Sequence, residues 1–133
     1  MTNNQAHRRY FQRLVPTMLV FIGLSILIGF NDDLLGLPTQ IILPLALVAG
    51  ALLVAAFWVH WRFIMEIDEF LRSIQIGSVM AGLTVIISIA SIWGFLERAL
   101  DVPALPIFYL NPIYWAAYSL AVVVLTIRAT REV

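Results

Sequence analysis

The side chains best suited to chemistry crowd into residues 62–75, where Arg62, Glu66, Asp68, Glu69, Arg72 and Gln75 are interleaved with Phe63 and Phe70. Carboxylates and guanidinium groups make charge-assisted hydrogen bonds, and aromatic neighbours add apolar contact, so the chemistry on offer is recognition. These six polar residues are the candidate cytoplasmic docking surface. They also suit a helical hairpin. Arg62 neutralises the end of one helix, Asp68 or Glu69 caps the next, and Asp68 to Arg72 is an i,i+4 pair in the favourable order. Gln75, the deepest amide of the group, is expected to bond across helices. A second candidate polar site, on the outer side, holds Glu97, Arg98 and Asn111. Glu97 closes an apolar segment where the helix dipole disfavours an acid, so it is expected to need Arg98 or a backbone amide near the Asn111-Pro112 helix start, or else a small ligand.

Other chemistries lack their residues. The chain has no cysteine, which excludes thiol catalysis, iron–sulfur clusters and Cys-ligated zinc. His7 and His60 are far from any helical spacing that would clamp a metal or haem, no sequence cue marks a Ser–His–Asp set, and no glycine-rich loop awaits a phosphate. No enzyme activity, cofactor or metal is expected. The eight basic residues are all arginine, balance the acids to a net charge of zero, and give no excess for nucleic acid.

The elements that must position these residues follow from composition. The chain of 133 residues is 62% hydrophobic and 12% charged, whereas soluble domains are about a quarter charged. Windows 14–31, 34–61, 73–96 and 102–127 contain no Asp, Glu, Lys or Arg, and each can cross a hydrocarbon core that takes about 20 helical residues. The expected fold is all-α: a polytopic membrane protein with one domain over 1–133, a four-helix transmembrane bundle with spans near 13–30, 41–63, 69–96 and 112–128. Pro16 should fall in the first turn of the first helix, Asn31-Asp32-Asp33 should end it, Thr39 should cap the second, and Asn111-Pro112 should cap and open the fourth.

Alternating the helix ends puts Arg8, Arg9, Arg13, Arg62, Arg72, Arg128 and Arg131 on one side and Arg98 on the other. The positive-inside rule then places both termini in the cytoplasm. The basic flank before the first apolar run resembles that of a signal peptide, but no small-x-small cleavage site follows, so a retained span is expected. Small residues four apart, such as Gly77 with Ala81 and Ser78 with Gly82, suit close helix packing or a homodimer face.

Asp68-Glu69-Phe70-x-Arg72-x-Ile74-Gln75, followed by Trp93-Gly94-Phe95-Leu96-Glu97 and an aromatic-proline start to the last span, resembles a family of small bacterial inner-membrane proteins. The resemblance covers roughly half the chain, from about Glu66 to Arg131. Family members commonly carry a further acid after the Ile-Gln pair and consecutive C-terminal arginines, where this chain has Ile76-Gly77-Ser78 and separated Arg128 and Arg131. The resemblance implies a neighbour of the helix-turn-helix regulator type as partner. Residues and resemblance together lead to a non-enzymatic interaction or regulatory protein, held in the lipid bilayer, that recruits a cytoplasmic partner through residues 62–75. The alternatives are a small transporter or channel subunit acting as an oligomer, for which Thr84, Ser88 and Ser91 would supply a polar stripe, and an assembly subunit of a larger membrane complex.

Overall fold

Each long apolar window becomes a helix. The computed structural model describes residues 2–132. In it α1 is Asn3–Gly29, α2 is Thr39–Glu66, α3 is Glu69–Ala99 and α4 is Leu110–Arg131. A π-helical turn, Asn31–Leu35, follows α1, and a 3-10 turn, Ile107–Tyr109, leads into α4. The chain is 89% helical, with no strand among the described residues. Its four long helices are all long and apolar enough to cross a membrane.

Several helix ends depart from expectation, each for a local reason. α1 begins at Asn3, well before the apolar run, because Thr2 and Gln5 form a reciprocal capping box: Gln5 N–H donates to Thr2 Oγ1 at 3.3 Å and Thr2 N–H to Gln5 Oε1 at 3.2 Å. Pro16 therefore lies inside α1, where it forgoes one backbone hydrogen bond. At the other end α1 closes at Gly29, and Asn31 organises the turn that follows. Its side chain accepts from Leu37 N–H at 2.9 Å and donates to Leu37 O at 3.2 Å, while Gly36 takes a φ of +59° that a residue with a Cβ resists. Thr39 is the first residue of α2 rather than its cap, a position held by Pro38. Asn111 and Pro112 lie within α4, since winding begins earlier at the Pro106 carbonyl, which accepts Tyr109 N–H at 3.1 Å.

The chain divides into two compact units, Met1–Asp68 and Glu69–Val133. Each is a helical hairpin with a thin core. In the first, Ala6, Ala49 and Ala56 are buried beside Phe21, Phe63, Ile64 and Ile67, the small residues letting the helices approach. In the second, Ile74, Ser78, Tyr114 and Tyr118 are buried, and Gly82 lies against the Tyr114 ring. Between 6% and 11% of the most apolar window of each helix is buried. Leu19, Leu47, Val54, Ile87 and Leu120 are all more than 60% exposed, an apolar surface far beyond scattered single residues.

Candidate functional site

A densely bonded polar cluster lies where the start of α1 meets the end of α2, within the first unit. Ala6 and Tyr10 stand one turn apart on α1, and His60, Phe63 and Ile67 recur at helical spacing on α2. The Tyr10 ring stacks on Phe63 with centroids 4.4 Å apart, and His7 meets the same ring edge-on at 4.9 Å. The Tyr10 hydroxyl and His60 Nδ1 share a hydrogen bond of 3.0 Å, with His60 only 3% exposed. A buried imidazole gains from such a bond, since an unsatisfied polar group there would be costly.

Charged groups close the cluster on its outer rim. Arg9 and Arg62 converge on one oxygen of Glu66, at 3.5 and 3.8 Å. The Glu66 side chain is 16% exposed while those of Arg9 and Arg62 are 42% and 48% exposed. Pairs this open contribute about 0–1 kcal/mol, so they orient the side chains more than they stabilise the fold. Asn3 completes the arrangement: its amide donates to Asp68 Oδ2 at 2.5 Å and its carbonyl oxygen accepts Asp68 N–H at 3.1 Å. Two of the six candidate docking residues, Glu66 and Asp68, are thus held by the first turns of α1, while Arg62 pairs with Glu66 within α2.

Glu69, Arg72 and Gln75 belong to the second unit. Glu69 is exposed and Arg72 half-buried. The Tyr118 hydroxyl donates to Gln75 Oε1, which ties α3 to α4. Thr84, Ser88 and Ser91 lie on the exposed side of α3 rather than in its seam with α4, and the Thr84 hydroxyl donates to Met80 O at 2.8 Å within its own helix.

At the other end of this unit, Glu97 Oε1 accepts the N–H of Leu105 at 3.0 Å. Its partner is a backbone amide, as one expectation held, but from the connecting segment rather than the Asn111-Pro112 turn. Asn111 instead accepts from Trp115 Nε1 at 3.0 Å, so Glu97 and Asn111 serve separate bonds. Arg98 is exposed. Among the described residues no group of three or more His, Cys, Asp or Glu side chains is placed to hold a metal.

From sequence alone Asn3 and Tyr10 receive no role, and His7 is weighed only as a metal or haem ligand. The Thr2-x-x-Gln5 capping signal and the helical spacing from Ala6 to Tyr10 would have extended the first helix and exposed them as partners of α2. Comparison with protein-family models, curated proteins and solved structures finds no match for the chain.

Proposed function

We propose that this chain is a non-enzymatic, multi-pass protein of a bacterial cytoplasmic membrane that recruits a soluble protein partner at the inner end of its first hairpin. The apolar exposure of all four helices supports lipid as their surroundings. The positive-inside rule puts the arginine-rich end of each hairpin, and with it both termini, in the cytoplasm.

The observation that carries the recruiting role is the pinned junction of Asn3, Arg9, Arg62, Glu66 and Asp68. α1 has 27 residues and α2 has 28, so each is about 40 Å long against a hydrocarbon core of about 30 Å. Roughly 10 Å of paired helix would then stand clear of hydrocarbon, and the polar contacts favour the arginine-rich end as the protruding one. Exposed there are Arg8, Phe11 and Met65, and Arg, aromatic and Met side chains are the types enriched in protein interfaces. The family resemblance adds the class of partner, a small helix-turn-helix regulator.

The test is a cross-linked pull-down of the tagged full chain from its own host, wild type against Arg8→Glu. Arg8 is exposed and enters no hydrogen bond or ion pair among the described residues, so its reversal should spare the fold. A soluble regulator recovered with wild type and depleted with the variant by up to about fivefold is the expected result, since a rim charge pair is worth up to about 1 kcal/mol. Equal recovery by an inserted variant overturns the docking site, and recovery of membrane subunits alone favours the assembly role.

A further inference from the structure

At the end of the second unit away from Arg72, Arg128 and Arg131, a cavity of about 160 Å³ opens between α3 and the segment leading to α4. Ala90, Trp93, Gly94 and Glu97 line it from one face of α3, and Leu105 and Ile107 close it. Two hydrogen bonds build the wall: Trp93 Nε1 donates to Pro103 O at 3.0 Å, and Leu105 N–H donates to Glu97 Oε1 at 3.0 Å. Both the indole and the carboxylate are therefore fixed. Gly94 leaves the middle of the wall open, with nothing within 4 Å of the place a Cβ would take.

Glu97, an exposed side chain, brings a negative charge to this wall. Among the described residues Glu97 enters no ion pair, its one partner being the Leu105 amide. A carboxylate beside apolar walls favours a cation, and an indole adds attraction of roughly 0.5–2 kcal/mol to an ammonium near its face. An anion would be repelled. The volume is close to that of an engineered cavity of about 150 Å³ that holds benzene, enough for a group of a few heavy atoms. The end of α3 and the segment leading to α4 are apolar and exposed, with Leu100 at 59%, Ile107 at 82% and Phe108 at 58%. A soluble amine calls for a wetter rim, whereas an amphiphile matches both the acid within and the apolar surroundings.

We propose that this cavity binds the ammonium headgroup of phosphatidylethanolamine, with the acyl chains meeting the flanking apolar residues. The site rests on the membrane-spanning reading of α3 and α4 and is independent of any cytoplasmic partner. The experiment uses the full chain in nanodiscs of equal phosphatidylethanolamine and phosphatidylglycerol, with retained lipid counted by native mass spectrometry. Wild type is expected to retain phosphatidylethanolamine selectively. Glu97→Gln should lower that retention about tenfold, the change one charge-assisted contact is worth. Glu97→Asp should preserve much of it, and Gly94→Leu, which fills the cavity and leaves the charge, should abolish it.

Equal retention of the two lipids, or undiminished retention by Glu97→Gln, overturns the site. Displacement of the lipid by an equal concentration of free ethanolamine would assign the cavity to a soluble amine and overturn the lipid. Carbonate washing of host membranes separates the two failures. A chain that washes out refutes membrane insertion and the lipid site together; one that stays without selective retention refutes the lipid site alone.

Discussion

Three glycines on α3 meet three different surroundings, and their alanine variants should separate accordingly. A Cβ on Gly82 would lie 2.7 Å from a ring carbon of Tyr114, and that ring is 5% exposed and packed edge-on against Trp115 at 5.3 Å. It has little room to give, so Gly82→Ala should cost about 1–3 kcal/mol, the usual price of overpacking. At Gly77 the nearest atom is Leu125 Cδ1 at 3.1 Å, the far end of a flexible side chain, and the loss should stay within about 0.5 kcal/mol. Gly94 meets nothing, and alanine should gain up to about 1 kcal/mol from its helix propensity. Reversible unfolding in mixed micelles, followed by circular dichroism, gives the order. Equal stabilities for the three variants would mean that Gly82 and Tyr114 are not in contact.

At the scale of the helix, the start of α1 is a local device with a distant consequence. The Thr2–Gln5 box orders the turn that carries Asn3, and Asn3 holds Asp68, 65 residues further on. Replacing Thr2 and Gln5 together by alanine should cost about 0.5–2 kcal/mol, concentrated in the first turns. Hydrogen exchange should therefore rise over Asn3–Gly29 at its first few amides and around Asp68, and remain unchanged in α4; a uniform rise would refute a local cap. The windows free of acids and bases located all four helices but not their ends, because hydropathy reports the surrounding solvent while caps and turns decide where winding begins. Thus Thr2, outside any apolar run, starts α1, and Pro106 rather than Asn111 starts the last helical segment. The candidate site was legible in the same partial way. Arg62 and Glu66 are a pair that i,i+4 spacing within 62–75 encodes, yet Arg9 and Asn3, the partners of Glu66 and Asp68, are set by the pairing of α1 with α2, which that spacing does not encode. Glu97 was recognised as an acid in need of a partner, but Leu105 reaches it through the path of an irregular segment.

At the scale of the whole molecule, each hairpin carries its own uneven distribution of arginines. Arg8, Arg9, Arg13 and Arg62 mark one end of the first hairpin, while Arg72, Arg128 and Arg131 mark one end of the second, which has Arg98 at its other end. Retaining arginines on the cytoplasmic side is what orients short-looped membrane proteins, so each hairpin independently favours the same insertion. A chain without cysteine makes the test clean, because every introduced thiol is unique. Single substitutions Asn4→Cys, Leu35→Cys, Asp101→Cys and Thr130→Cys place that thiol at the exposed start of α1, the tip of the first hairpin, the α3–α4 segment and the end of α4. A membrane-impermeant maleimide added outside intact cells should label Leu35→Cys and Asp101→Cys, and should reach Asn4→Cys and Thr130→Cys after permeabilisation alone. The reverse pattern would refute cytoplasmic termini. Labelling of Asn4→Cys and Thr130→Cys on opposite sides would require an odd number of crossings and show that one or three of the four apolar helices do not span.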